Sequence, residues 1–268
     1  MKSVGVLFMG LWLAGCASIH GLDHWISHPL PSRKVYMQLK GLPGQTFITK
    51  YRVKTHVQEE EKGKKVRDKT DKVQFKVSEK VLQGSPFGEA LVLQVSTIEK
   101  KGSMDLHELA TPEFGESFLV VLSARGEVLQ YGDFPRRSIF FVPSFVLPED
   151  SVEVGDTWTS SSFWVSPHSA LPLKMDVVYI LKGLYECGEA FTPCAKIEVS
   201  GGVSIPGLDP QKARYYSQVQ GTLLFSTQLG QMLWSSIESS EQLVRKDRRV
   251  LIHSLMNSEK LNPLTPPR

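Results

Sequence analysis

Apolar and polar residues alternate with a period of two along most of the chain, the spacing that puts one face of a strand in a core and the other in water. Val73, Phe75 and Val77 alternate with Gln74, Lys76 and Ser78. Leu91, Leu93 and Val95 repeat the pattern, and residues 46–57 are dense in β-branched and aromatic side chains. Ser117 to Tyr131 holds two apolar runs around Arg125 and Gly126, with glycine free to take the positive φ of a tight turn. Residues 231–244 read as a further strand, and Arg249 to Met256 as either a strand or a short helix. The mixed-charge run Gln58 to Lys72 reads as a solvated loop joining two strands. The expected class is mainly β, with antiparallel, twisted or half-barrel-like sheets.

The order of these segments recurs. Setting Gly126 on Gly230 lays Leu119, Val120 and Val121 over Leu223, Leu224 and Phe225, and Leu93 and Val95 over Ile197 and Val199. A shift two residues smaller lays Val73, Phe75, Val77 and Lys80 over Met175, Val177, Tyr179 and Lys182. Gly44, Thr46 and Phe47 match Gly155, Thr157 and Trp158. A tandem duplication of a four- or five-strand unit is the expectation, with repeats at residues 34–134 and 135–256 and a flexible tail at 257–268.

The first residues form a separate unit. Lys2 precedes an apolar run, Val4 to Leu13, too short to span a bilayer as a helix, and then come Leu13, Ala14, Gly15 and Cys16. These four residues resemble the lipobox of bacterial lipoproteins. That resemblance implies a signal peptide at 1–15, a diacylglycerol thioether and further acylation at Cys16, and a mature protein anchored to a membrane by its lipid. Two or three acyl chains hold a protein on a bilayer where one does not. Ala17, rather than Asp, follows the cysteine. By the same resemblance this directs the protein to the outer membrane, facing the periplasm. Residues 16–33 read as a lipidated linker whose prolines, Pro29 and Pro31, let the body stand off the bilayer, with Trp25 at headgroup level. His20, His24 and His28 could share a helical face, but only Asp23 accompanies them, and a polar tether is the preferred reading over metal capture.

Composition narrows the function. The net charge is +3, near neutral for 268 residues, which excludes the concentrated basic surface of a nucleic-acid binder. Cys187 and Cys194, six residues apart between strand-like segments, read as a disulfide across a hairpin loop in an oxidising envelope. A redox pair or half a metal site are the rival readings, and the spacing and the lack of nearby histidine disfavour both. No nucleophile elbow, zinc motif or nucleotide-binding loop occurs. The cluster Asp105, His107 and Glu108 reads as solvated, so an enzyme is not expected, nor a cofactor or metal. Phe140, Phe141 and Phe145 concentrate apolar surface at the join of the repeats. They form either a buried core between repeats or the lining of a hydrophobic cavity.

In outline a lipid-anchored antiparallel β protein is similar to the carrier and receptor proteins of the lipoprotein-sorting pathway, a likeness spanning about residues 34–256. The expected function is a non-enzymatic outer-membrane lipoprotein that binds a hydrophobic ligand or a periplasmic partner. The alternative is a structural or assembly subunit of an envelope complex.

Overall fold

A computed structural model describes residues 22–84, 90–109, 111–131, 145–165, 172–188, 192–209, 211 and 213–261. A four-residue helix, α1 (Leu22–Trp25), leads into β1 (Ile26–Leu30). The first half then holds β2 (Thr46–Glu61), β3 (Lys64–Gln83), β4 (Leu91–Gly102), β5 (Ser117–Leu122) and β6 (Val128–Tyr131), with a 3-10 turn at Leu106–Leu109. The second half holds β7 (Thr157–Val165), β8 (Pro172–Cys187), β9 (Thr192–Ser204), β10 (Arg214–Ser226), β11 (Gln231–Arg245) and β12 (Arg248–Lys260). All twelve strands belong to one antiparallel sheet, ordered β1-β8-β9-β10-β11-β12-β2-β3-β4-β5-β6, with β7 also paired to β8. The described strands do not close into a barrel: β6 ends one side, and β7 and β1 lie along β8 at the other.

Each half is a meander, and its opening strand is set by the same local device. In the first half Gly44, at φ 86°, donates to Val81 O at 2.8 Å, and Val81 donates back to Gln45 O at 2.8 Å. In the second, Gly155, at φ 100°, donates to Leu181 O at 2.8 Å, and Leu181 donates back to Asp156 O at 3.0 Å. The ladder then slips at the same place in both, after Val81 in β3 and after Leu181 in β8. Val81 therefore corresponds to Leu181, a shift two residues short of the sequence alignment. Two residues preserve the face, so the alternation concealed the error. In β5 and β10 the alignment is one residue out, which does exchange faces. Val120 opposes Leu93 as Leu223, not Leu224, opposes Ile197. The β10–β11 turn is one residue longer than the β5–β6 turn: Gly126 donates to Ser123 O, three residues back, whereas Gly230 donates to Ser226 O, four back.

Three other expectations need correction. The charged run is not a loop: β2 and β3 continue through it to a two-residue turn at Lys62 and Gly63, both at positive φ. Its β2 part is paired to both β12 and β3, and its β3 part to β2, so the strands persist with polar side chains on both faces. The tail does not begin at residue 257, since β12 runs to Lys260 and pairs β2 as far as Thr49. Nor are residues 22–30 a free linker: Leu30 pairs with Leu184 and Ile26 with Cys187.

The concave face is filled at the end of the sheet where β2 and β7 start. Two extended segments lie against it, joined by Val35 and Val152, which exchange backbone hydrogen bonds of 2.8 and 3.0 Å. Val35, Met37, Leu147 and Val152 pack with Leu181, Ile197 and Phe225 of β8, β9 and β10. Leu39 packs on this cluster and also on the one formed by Phe47, Val81, Leu91 and Phe118 of the first half. The same segment ties the two corresponding turns together, because Leu39 donates to Ala124 O at 2.7 Å and Lys40 to Gly230 O at 3.0 Å.

Gly126 sits where this strap crosses, at φ 87°, and a Cβ there would lie 2.4 Å from Phe145 O. Gly63 has a similar φ of 75° but open space around it. Gly126→Ala and Gly63→Ala should both lose about 1 kcal/mol to backbone strain. Only Gly126→Ala should lose clearly more, read as a larger drop in urea midpoint; equal losses would show that the strap yields freely.

Candidate functional site

Of the residues singled out in the sequence, Cys16, Phe140 and Phe141 lie outside the described residues. Cys187 and Cys194 form a disulfide at the β8–β9 turn. Around it pack Leu22, Trp25, Leu224, Leu233 and Trp234, and Gly188 donates to Trp25 O at 2.9 Å. Trp25 is thus buried against the disulfide and not placed at a headgroup layer. An indole and a disulfide together cover apolar surface that neither β8 nor the short helix could bury alone. The expected staple carries a second role here, anchoring the segment that leads from the N-terminus. His28 is exposed and meets Glu186 at 3.2 Å, His24 is exposed, and no metal-binding group of His, Cys, Asp or Glu occurs among the described residues. Replacing both cysteines with alanine should cost about 2.5 kcal/mol for so short a loop by the chain-entropy relation. Urea unfolding measures this, and an unchanged midpoint would assign the stability to the Trp25 packing alone.

Phe145 is half-buried and packs on the core of the second half. Its ring meets Tyr179 edge-on at 5.3 Å and lies 6.4 Å from Phe225. Tyr179 in turn stacks on Trp158 at 5.4 Å, whose indole donates to Val146 O at 2.8 Å. His107 is held by Glu116 at 2.6 Å and lies 3.6 Å from Asp105, at the foot of the loop where Lys100 meets Glu113 at 2.7 Å. Glu113 also accepts from the Leu106 amide, so this cluster ties the 3-10 turn to β4.

Alternation alone did not single out a polar seam on the concave side of β10, β11, β12 and β2. Ser235 meets Ser258 at 2.6 Å, and Thr55 meets Ser254 at 3.1 Å. Beyond them Glu241, 9% exposed, accepts from the Tyr215 hydroxyl at 2.8 Å, directly opposite Ser217 and Ile252. Burial pushes the Glu241 carboxyl above its ordinary value, and the Tyr215 bond only partly offsets this. Burial likewise raises Tyr215, helped by the neighbouring carboxylate. Among the described residues no ion pair compensates Glu241, so burial shifts it toward the neutral form. The seam is a structural hydrogen-bond ladder with one titratable rung.

The edges differ in chemistry. β7 has nine residues, Thr157 to Val165, with no charge and no proline, and among the described residues β8 is its single neighbour. Phe163 is 69% exposed on it. Sheet edges ordinarily carry lysine, proline or a bulge against pairing, and β7 carries none of these.

No family model and no curated protein matches the chain. Among solved structures, an outer membrane channel from Pseudomonas putida F1 is similar at 11% identity and a TM-score of 0.23, over 83% of this chain and 97% of that one. A TM-score that low carries no argument about fold or function.

Glu241 gives a pH signature. Just above the ordinary glutamate value of 4.5, the folded state keeps a proton that the unfolded state has lost, so stability falls as pH rises through this window. Glu241→Gln removes that fall. The melting temperature of the variant relative to the wild type should rise between pH 4 and pH 7. Parallel curves would show that the carboxylate is not penalised by its surroundings.

Proposed function

We propose that this chain is a lipid-anchored, non-enzymatic envelope protein whose rigid sheet presents an edge to a strand or extended segment of another envelope protein. The unguarded edge of β7 carries the reading. Its free backbone groups alternate with those bonded to β8, and an added strand would satisfy them while covering Phe163. The packing of Phe145 against Tyr179 and Phe225 supports this assembly role, whereas carriage of a hydrophobic ligand needs an open cavity. Anchoring rests on the lipobox-like residues Leu13 to Cys16, and the non-enzymatic reading on the lack of a catalytic motif in the sequence. The fold places β1 and its disulfide cluster at the start of the described chain, so the route from Cys16 leads into a fixed point of the sheet.

Two measurements test the two parts. Cys16→Ser should release the protein from membranes on fractionation, and retention would remove the lipid anchor. A photo-cross-linking amino acid in place of Phe163, in the lipidated full chain, should give a discrete protein adduct in cells. Adducts confined to lipid, or none, would remove the edge-pairing role.

A further inference from the structure

The convex side of the first half carries a charge pattern that neither the edge nor the core uses. On β2, Lys50, Arg52 and Lys54 occupy alternate positions, opposite the inward Tyr51 and Val53. Their neighbours on β3 are Lys76, Gln74 and Lys72, in register, and Lys80 lies further along the same face. Lys101 of β4 opposes Gln74. Seven cations therefore share one face of three adjacent strands. The carboxylates among them are Glu99, 2.5 Å from Lys76 and 3.1 Å from Lys101, and Glu259 of β12, 3.6 Å from Arg52. Over this stretch, which ends before Asp68 on the same face, seven minus two leaves +5, whereas the whole chain carries +3. The remaining residues of the chain therefore sum to −2.

The arrangement works against the fold. Lys54 directly opposes Lys72, and Lys50 directly opposes Lys76. Like charges at opposed sheet positions are destabilising. Elsewhere on the same hairpin cations are matched, as in Lys65 with Asp68 at 2.6 Å and Lys69 with Asp71 at 2.8 Å. Among the described residues neither Lys54 nor Lys72 has an ion pair. Both line a shallow depression of about 320 Å³, together with Arg52, Gln74, Lys101 and the partly exposed Leu255.

We propose that this face docks on an anionic lipid surface, with Lys54 and Lys72 as its centre. Six of the seven cations are lysine. Lysine is a flexible point charge, suited to a fluid layer of phosphates and not to the planar, bidentate geometry for which arginine serves. Lysine is also depleted in protein–protein interfaces, where aromatic residues and arginine concentrate. The match is therefore to a headgroup layer rather than to an acidic protein. The setting rests on the lipid-anchored reading: with the anchor in the bilayer, the face needs only a few favourable contacts to hold the sheet against it.

Vesicle binding of the full chain carrying Cys16→Ser separates this proposal from the anchor, because no lipid modification contributes. The quantity read is the excess affinity for vesicles of three parts phosphatidylglycerol to seven of phosphatidylcholine over pure phosphatidylcholine. That excess should be at least tenfold at about 0.1 M salt and should largely vanish at about 0.5 M. Adding Lys54→Gln and Lys72→Gln should reduce it by about 25-fold, or abolish it, at about fivefold per lysine. Lys34→Gln with Lys182→Gln, the same charge change elsewhere, should leave most of it. Equal binding to both vesicle types overturns the proposal, as does an equal loss in both double variants. Preferential binding to polyglutamate without an excess for anionic vesicles also overturns it and reassigns the face to an acidic protein. Release of the unlipidated protein in cells bears on the anchor alone and leaves the vesicle result standing.

Discussion

The pairing of the last strand with the first long one makes this molecule a single body. β12 and β2 run antiparallel from Arg248 opposite Glu61 to Lys260 opposite Thr49, joining residues about two hundred positions apart. Without that seam the chain would be two meanders, each with an extra open edge. With it, one sheet passes through both halves. Closing so large a loop costs chain entropy before any contact compensates, so both flanking hairpins have to be in place first. Apolar packing across the seam is carried by Met256 against the Val53 cluster, and polar contacts supply the rest. Lys260 lies 7% exposed, 3.2 Å from Glu79 and 4.9 Å above the Phe47 ring, at one end, and Arg248 meets Glu59 at 2.6 Å at the other. Between them Ser254 meets Thr55 across the seam at 3.1 Å. Such directional contacts fix a register that interchangeable valines would leave open to slippage by two residues.

Continuity of the sheet makes its two ends unequal. At the end where β2 and β7 begin, the strap through Leu39 links both core clusters and both corresponding turns, and the disulfide holds α1 and β1 on β8. At the other end the β2–β3 hairpin projects beyond the core with both faces exposed from Glu61 to Thr70. A protein tethered through its N-terminus would present a fixed end near the tether and a projecting, charged end away from it. That polarity suits a platform, with Leu147, Met37 and Phe145 packed together at the fixed end.

Strand identity was legible in the sequence because a period of two survives wherever one face is buried. It failed where neither face is. Residues 58–72 look like a loop because their pattern is charge on charge, yet 58–61 are paired on both sides, by β12 and β3, and 64–72 are paired along β2. The slip after Val81 and Leu181 and the extra residue in the β10–β11 turn were hidden for a different reason. They alter hydrogen-bond register without altering composition, and an alignment by apolar alternation is blind to steps of two. Trp25 was misplaced because an amphipathic ring near a lipidation motif fits a headgroup layer equally well. Its burial depends on the disulfide and on Trp234, more than two hundred residues away in sequence. Glu241 gave no signal either, since an isolated glutamate in a polar stretch is ordinarily solvated.

Neighbouring strands carry opposite chemistry on the two sides of the sheet. Inward β10, β11, β12 and β2 place hydroxyls and one buried carboxyl, and outward β2 and β3 place lysines. The inward pattern has a structural account, because small polar residues let the sheet coil tightly while satisfying one another. Gly221 of β10 shows how little room remains, since a Cβ there would lie 2.4 Å from Ser236 O. The outward pattern has no such account. Glutamate in place of Lys54 would give an opposite-charge pair with the facing Lys72 and a more stable hairpin. A surface that forgoes this available stabilisation is better explained by something it meets than by the fold it belongs to.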